Sequence, residues 1–289
     1  MKDLKKRLLT AFIAIPLLYL TFYLGSYYFL FFVLGVSILS SIEFFSLSKL
    51  QISKLRRTYI VIICTLLILG AFLNPFYLKL FLTLFIIASV IFEFHTTDFS
   101  NCLFNLGINL FSLLYFGWML AHAIILRNIS NNDLISAYAI EFQGISNPGF
   151  FFIVLIVTCT FLNDTGAFIV GNKFGKIKLA PYISPGKTVE GTIGGIIFSL
   201  GGAVLTNIIF SNPIPYYWAL LYGAVVSAAA IFGDLFESAI KRGAGVKDSG
   251  SILPGHGGIL DRFDSLIFVF PCAYYITVIY YYFSGIKLF

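Results

Sequence analysis

The sequence predicts an all-α protein that crosses a membrane several times, and three observations lead to this prediction. Of the 289 residues, 59% are hydrophobic and 11% are charged, and the mean hydropathy is +0.93. Soluble domains carry about 25% charged residues, so these values exclude a soluble fold. The 33 Phe and 17 Tyr residues exclude intrinsic disorder, because disordered chains are poor in aromatic groups. The apolar residues also occur in runs close to the about 20 residues that a helix needs to span a bilayer.

Polar residues, glycines and prolines divide the chain into about nine predicted membrane helices. Gly25-Ser26 separates the first two and Asn74-Pro75 the third and fourth, so each of these pairs is either a hairpin or one broken helix. No small-residue cleavage site follows the first run, which is typical of a retained signal anchor. The predicted spans are 8–24, 26–42, 58–73, 76–93, 102–126, 149–171, 191–210, 216–240 and 262–283.

The basic residues predict the orientation of these helices. If the N-terminus is cytoplasmic, only Lys79, Arg127 and Lys287 of the 19 basic residues lie outside, as the positive-inside rule expects. The net charge of +6 is then explained by topology, and no nucleic-acid partner is predicted. We expect a multi-pass protein of the cytoplasmic (inner) membrane with its active site on the cytoplasmic side. The cytoplasmic basic residues would be Lys2, Lys5, Lys6, Arg7, Lys49, Lys54, Arg56, Arg57, Lys173, Lys176, Lys178, Lys187, Lys241, Arg242, Lys247 and Arg262.

Polar residues are concentrated in the second half of the chain. Residues 1–150 are predicted to form N-terminal membrane helices with few polar residues, and residues 151–289 a catalytic membrane region. We find no internal repeat. Glu93, His95 and Asp98 are interpreted as a solvated turn. The four cysteines form no CxxC pair and are interpreted as small core residues.

Acidic residues inside the predicted spans are candidates for a functional site. Asp164 interrupts the span 149–171, and a carboxylate in lipid is costly unless it is paired, protonated, solvated or metal-bound. We therefore expect Asp164 to face the interior of the bundle. In the next acidic stretch, Asp234, Glu237 and Lys241 share one helical face. A salt bridge between Lys241 and Glu237 at the membrane rim would still leave Asp234 in need of a partner.

The segment from Lys247 to Asp264 carries the strongest chemical signal. Its glycines allow backbone N–H groups to turn toward an anion, as in phosphate-binding loops. Asp261 and Asp264, three residues apart, offer oxygen ligands to a hard divalent cation. Arg262 points elsewhere and is available to a phosphate or a lipid headgroup. His256 either binds a phosphate or fixes the loop, and the residues alone leave both roles open.

A further polar cluster runs from Ser184 to Gly191. Thr188 is placed as a helix N-cap, and Lys187 is available to an anion at that helix N-terminus. The spacing is not that of a Walker A loop, and a plain capped loop end stays an alternative. The three clusters supply acids for Mg²⁺, glycines and bases for phosphates, and apolar helices for a lipid. This inventory indicates phosphoryl or nucleotidyl transfer to a lipid.

These residues resemble the signature of the phosphatidate cytidylyltransferases, also called CDP-diacylglycerol synthases. The segments 238–242, 247–248 and 254–264 match S-x-x-K-R, K-D and P-G-H-G-G-x-x-D-R-x-D in order and spacing. The similarity extends upstream to Asn163-Asp164 and covers roughly the second half of the chain. One departure is visible, because the family usually has S-P-K-K-T-x-E-G and Gly186 stands here in place of the first lysine.

The resemblance implies that CTP and phosphatidate are converted to CDP-diacylglycerol and pyrophosphate in phospholipid biosynthesis. It also implies bound Mg²⁺, alone or with a second cation, and a homodimer. The lipid phosphate would attack the α-phosphorus of CTP in line, and no protein nucleophile is needed. The implied metal ligands are Asp164, Asp234, Asp261 and Asp264. The implied catalytic residues are Asp234, Asp261, Asp264, Lys241 and Arg262. The implied substrate-binding residues are Lys187, Thr188, Glu190, Ser238, Arg242, Lys247, Asp248, Gly255, His256, Gly257 and Gly258.

Two other functions stay open at this point. A CTP-dependent transferase acting on an isoprenoid glycerol phosphate or a polyprenol would share the same headgroup chemistry. A secondary transporter for an anionic solute would use Asp164 and Asp234 as proton or cation sites. The lack of repeat symmetry in the sequence counts against a transporter.

Overall fold

The structure is a computed structural model that describes residues 16–47, 52–94, 99–129, 147–252 and 257–284, most of them helical. Residues 16–24 are helical where the description begins. A π-helix, Leu113–Trp118, joins two of the helices below into one span. The helices are α1 Ser26–Leu47, α2 Lys54–Leu73, α3 Pro75–Glu93, α4 Cys102–Ser112, α5 Met119–Arg127, α6 Pro148–Phe174, α7 Val189–Ile209, α8 Tyr216–Gly243 and α9 Leu260–Phe283, and a hairpin of β1 Lys178–Ala180 and β2 Ser184–Thr188 lies between α6 and α7.

Eight helices within the described ranges are long and apolar enough to cross a membrane, with lengths from 18 to 28 residues. They coincide, apart from a few residues at their ends, with the last eight predicted spans. The first predicted span, 8–24, begins in residues that lie outside the described ranges. The prediction of an all-α polytopic membrane protein is therefore confirmed.

The backbone leaves helical geometry at both doubtful junctions. Gly25 and Ser26 have φ of 59° and 44°, in the left-handed region, which interrupts the helix before α1. Asn74 is extended, and its side chain accepts a hydrogen bond from the N–H of Phe76 at 2.8 Å. This cap starts α3 as a new helix directly after α2.

The chain forms two compact units. Among the described residues, unit 1 contains those up to Ile125 and those from Asp248 to Asp261, and unit 2 contains those from Leu126 to Lys247 and from Arg262 onward. The predicted division into residues 1–150 and 151–289 followed polar content rather than packing, and it stays a prediction about where the chemistry lies. The glycine-rich segment thus packs with the N-terminal helices, although it lies late in the sequence.

Unit 1 contains a buried polar network between its helices. The guanidinium of Arg56 in α2 forms an ion pair with the carboxylate of Glu93 in α3, and it also donates to Asn109 Oδ1 in α4 at 3.3 Å. Glu93 is only 1% exposed. The interpretation of Glu93 as part of a solvated turn is therefore wrong, because a partner 37 residues earlier in the chain neutralises its charge inside the unit. His95 and Asp98 lie outside the described residues.

Unit 2 depends on close packing of α6 against α7. A Cβ at Gly194 would lie 2.5 Å from the Val170 side chain, and a Cβ at Gly195 would lie 2.8 Å from Asn163 Oδ1. Small residues allow helices in membranes to approach until their backbones are nearly in contact. This packing holds the Asn163-Asp164 turn of α6 against α7.

The predicted orientation can be tested at two exposed residues, Ser251 and Asn128. Ser251 lies in the segment predicted to be cytoplasmic, and Asn128 follows α5 on the side predicted to be outside. In a background lacking the native cysteines, Ser251→Cys should react with a membrane-impermeant thiol reagent only in inverted vesicles. Asn128→Cys should react only in right-side-out vesicles. The opposite pattern would overturn the orientation.

Candidate active site

A cavity of about 290 Å³ lies in unit 2 where α6, the β hairpin, α7 and α8 meet. Asp164 from α6, Lys187 and Thr188 from β2, and Asp234 from α8 contribute to its lining. Polar residues of α6, β2 and α8, which the sequence separates by tens of residues, therefore lie around one space, and no described residue of the glycine-rich segment is among those that line it. Apolar side chains complete the lining, and one of them, Phe168, is 70% exposed.

Asp234 has a cationic partner in this cavity. The Lys187 Nζ lies 2.6 Å from Asp234 Oδ2, and the two side chains are 26% and 33% exposed. The hydroxyl of Ser238, one turn later in α8, donates to Asp234 Oδ1 at 3.4 Å. Lys187 is thus the partner that Asp234 required, and the pair sits at a surface that a ligand from the cavity can reach.

Asp164 is held in place by polar groups of α6 and α8. Asn163 Nδ2 donates to Asp164 Oδ1 at 3.4 Å, and Asn163 Oδ1 accepts from the hydroxyl of Ser227 at 2.6 Å. Because Asn163 and Ser227 are buried, this chain of contacts orients the Asp164 carboxylate toward the cavity. Asp164 itself is exposed and lines the cavity, whereas the sequence predicts that it faces the interior of the bundle.

The start of α9 brings Asp264 into the same electrostatic environment. Gly233 in α8 allows the two backbones to approach, since a Cβ there would lie 2.7 Å from the Asp264 carbonyl oxygen. The Asp264 carboxylate accepts from the N–H of Ser265 at 2.6 Å. Asp164, Asp234 and Asp264 are close enough to interact electrostatically, so unit 2 brings three carboxyl groups together near the cavity.

Lys241 forms an ion pair with a buried carboxylate. Its Nζ lies 2.5 Å from Glu237 Oε2, one turn earlier in α8, and Glu237 is 0% exposed. The salt bridge considered from the helical spacing is therefore present. It lies inside the protein rather than at a solvated rim, which makes Lys241 important for folding as well as a candidate for phosphate binding.

Several predicted substrate-binding residues have architectural contacts. Thr188 caps α7, accepting from the Gly191 N–H at 3.1 Å, as predicted. The Glu190 carboxylate accepts from the N–H groups of Lys176 and Ile177 at 3.0 to 3.3 Å. Arg242 donates to the carbonyl oxygens of Ile183 and Val246, each at 3.2 Å, which ties the hairpin turn to the end of α8. Their roles in substrate binding stay predictions, as do those of the exposed residues Lys247, Asp248 and Arg262.

In unit 1, the Asp261 carboxylate holds the glycine-rich segment together. It accepts from the Ser249 N–H at 3.0 and 3.1 Å and from the Gly258 N–H at 2.9 Å. Gly257 has a φ of +87°, a conformation that favours glycine. The N–H of Gly258 is thus used within the protein, and a phosphate-binding role for Gly257 and Gly258 stays a prediction. Gly255 and His256 lie outside the described residues.

Sequence reasoning missed Glu43, near the end of α1. It is 3% exposed, and its carboxylate accepts from the N–H groups of Ile259 and Leu260 and from the hydroxyl of Ser249. The available signal was an acid at the end of an apolar run with no basic residue three or four positions away. That pattern is also typical of a solvated helix end, so the sequence did not distinguish the two.

The cavity residues fit a hard divalent cation such as Mg²⁺. Over the described ranges, no three His, Cys, Asp or Glu side chains are arranged to hold a metal by themselves. Mg²⁺ is usually held by one or two carboxylates together with substrate phosphates and waters, so a three-residue cage is not required. Asp164 and Asp234 line one cavity and supply such oxygens, and Asp234 already binds a cationic group there, the ammonium of Lys187.

Comparison with known proteins identifies a family and several relatives of this chain. Residues 5–280 match the model of the cytidylyltransferase family. The phosphatidate cytidylyltransferase of Bacillus subtilis is 46% identical over 143 residues, which are 50% of this chain and 53% of that protein. Those of Staphylococcus saprophyticus and Thermotoga maritima are 49% and 44% identical over 43% and 42% of this chain and 48% and 47% of their own lengths. The chain thus spans about half the length of the curated relatives it matches. Because the family model matches nearly the whole chain, the chain belongs to the cytidylyltransferase family.

Proposed function

We propose that this protein is a phosphatidate cytidylyltransferase, which joins the cytidylyl group of CTP to phosphatidate and releases pyrophosphate. The observation that carries the proposal is the cavity of unit 2, where two carboxylates from membrane-spanning helices meet a lysine of β2. The names of the relatives supply the substrates.

Lys187 is the residue of the cavity best placed to bind the triphosphate of CTP. Its ammonium is held within the cavity by Asp234 at 2.6 Å, and it stays partly exposed. Charge-assisted hydrogen bonds to phosphate are about twice as strong as neutral ones. When the triphosphate enters, Lys187 can exchange the Asp234 carboxylate for phosphate oxygens. The Asp234 carboxylate is then available to bind a metal ion.

Asp234 and Asp164 would hold Mg²⁺ together with phosphate oxygens of CTP. Bound there, the ion would neutralise charge on the triphosphate and on the pyrophosphate leaving group. Asp264 adds a third carboxyl group nearby, since it interacts electrostatically with both acids. Asp261 as a further ligand, a second cation and a homodimer stay predictions from the resemblance.

The attacking group belongs to the lipid. A phosphate monoester has a second pKa of about 6, so phosphatidate is already anionic near neutral pH and needs no strong general base. The protein's task is to align this oxygen with the α-phosphorus and to balance charge. Phe168 lines the cavity and is 70% exposed, as expected if the cavity opens sideways to acyl chains in the membrane. We place the reaction at the cytoplasmic face of the cytoplasmic membrane, where CTP is available.

An assay of purified protein tests this proposal. Detergent-solubilised protein should form CDP-diacylglycerol and pyrophosphate from CTP and phosphatidate, and should do so poorly with ATP in place of CTP. The same assay should include an isoprenoid glycerol phosphate and a polyprenol. A preference for either of these would assign the alternative transferase. Solute uptake by vesicles without any turnover of CTP would instead favour a transporter.

Gly186 offers a way to strengthen nucleotide binding. It lines the cavity beside Lys187, its φ is not positive, and a Cβ at this position would meet nothing within 4 Å. Gly186→Lys should therefore fold normally and lower the KM for CTP by about threefold. This change corresponds to only part of the free energy of a charge-assisted hydrogen bond, because the position is exposed and solvent and salt screen the added charge. Gly186→Gln, which adds length without charge, is the matched control and should leave KM unchanged. Equal effects of both variants would contradict an electrostatic role for this position.

A further inference from the structure

Glu43 connects α1 to a segment more than 200 residues later in the chain. Its Oε1 accepts from the Ile259 N–H at 2.9 Å, and its Oε2 accepts from the Leu260 N–H at 2.8 Å and the Ser249 hydroxyl at 3.2 Å. All of these groups belong to unit 1. Three donors on two sides of the glycine-rich segment therefore meet one carboxylate.

These three neutral donors stabilise the carboxylate of Glu43 through hydrogen bonds. Ile259 and Leu260 lie at the N-terminus of α9, where backbone N–H groups lack helical partners and the helix dipole is positive. Within the described residues, the salt bridges involve other carboxylates, and none includes Glu43. A buried carboxylate without a cation depends on its hydrogen bonds, so Glu43 and the segment stabilise each other's position.

Two glycines allow the segment to approach Glu43. A Cβ at Gly250 would lie 2.6 Å from Glu43 Oε1, and a Cβ at Gly258 would collide with the Ser249 hydroxyl and with the Glu43 carboxylate. These glycines are therefore needed for contact between protein groups. This requirement exists whether or not the segment binds a phosphate.

Asp261 completes the arrangement from the other side. Its carboxylate accepts from the N–H groups of Ser249 and Gly258, while Glu43 accepts from the Ser249 hydroxyl and the N–H groups that follow Gly258. The two carboxylates thus bind the segment at two places, near residue 249 and near residue 258. We call Glu43 and Asp261 together the carboxylate clamp.

We infer that Glu43 is a positioning residue of the enzyme, which through the carboxylate clamp holds Ser249 and residues 258–260 in one arrangement during turnover. Its part in turnover rests on the proposed function, whereas its hold on the segment does not. Glu43 acts through Ser249, Ile259 and Leu260 and is not assigned any contact with substrate.

Glu43→Gln in the full-length protein tests the inference, because the amide keeps the shape but turns an NH₂ group toward N–H donors. Hydrogen exchange of the amides at 249–252 and 258–260 should become at least about tenfold faster. The kcat should fall by about tenfold or more at a temperature where the variant is folded. Glu43→Asp, which keeps the charge, should recover part of both effects.

Glu93→Gln is the matched control, since Glu93 is a buried carboxylate of unit 1 that forms an ion pair with Arg56 and accepts from Asn105, neither of which belongs to the segment. It should lower the melting temperature without changing exchange at 249–252 and 258–260. If Glu43→Gln does not fold, Ser249→Ala removes only the hydroxyl contact and should still accelerate exchange at 249–252. Unchanged exchange in both Glu43→Gln and Ser249→Ala, or an equal loss of kcat in the Glu93→Gln control, would overturn the inference. Inactive wild-type protein would refute the proposed function but would leave the exchange experiment valid.

Discussion

Asp234→Asn should reduce CTP-dependent turnover by at least about a hundredfold, which corresponds to about 2.7 kcal/mol or more of transition-state stabilisation. Asparagine keeps the shape and one oxygen but removes the negative charge that faces Lys187 and the proposed Mg²⁺. Folding should survive. The ion pair with Lys187 is partly exposed, and such pairs contribute about 1 kcal/mol or less to stability.

Two further measurements separate a metal ligand from an ion-pair partner at Asp234. If Asp234 binds the ion, the gain in melting temperature on adding Mg²⁺ and CTP should shrink in Asp234→Asn. If Asp234 only orients Lys187, then Lys187→Met should lose as much activity, and the double variant should be no worse than either single variant. Nearly normal turnover of Asp234→Asn would contradict the proposed site.

Lys241→Ala should destabilise the folded protein by about 3–5 kcal/mol, because removing one partner of a buried ion pair leaves an uncompensated charge. That charge would be Glu237, which is 0% exposed and lies 2.5 Å from the Lys241 ammonium. Thermal unfolding in detergent measures the loss. Lys176→Ala, at an exposed lysine, is the control and should change stability by no more than about 0.5 kcal/mol.

A double variant decides whether Lys241 also binds nucleotide. Lys241→Ala with Glu237→Leu removes the buried charge and should recover most of the lost stability. If Lys241 contacts the triphosphate, as the resemblance implies, the KM for CTP should stay raised by about tenfold in the stable double variant. A normal KM together with recovered stability would restrict Lys241 to a structural role.

The membrane spans could be predicted from the sequence because hydropathy is a local property. A run of about 20 apolar residues is both the requirement for crossing lipid and something visible in the chain itself. Eight predicted spans accordingly have counterparts among the described helices. The signature residues of the second half likewise carry their chemistry in their identity, so the family could be recognised before any contact was known.

The partners of the charged residues depended on tertiary structure. Glu93 looked solvated because its neighbours in sequence are turn-like, yet Arg56 from another helix neutralises it inside unit 1. Glu43 looked like an ordinary helix end, yet it accepts three hydrogen bonds from residues more than 200 positions away.

The sequence by itself determined the membrane fold, the family and the set of acids, bases and glycines available for chemistry. Only the tertiary structure decided which partners these groups have. Lys187 forms an ion pair with Asp234 at the cavity, and Lys241 forms one with buried Glu237. Asp261 accepts hydrogen bonds from backbone N–H groups of the glycine-rich segment. The physical reason is that a carboxylate can bind a metal ion, an ammonium group or an N–H group, so its residue type alone does not determine its partner. Electrostatic and hydrogen-bonding energies fall steeply with distance, so the choice among these partners follows from the packing of helices that are remote in sequence.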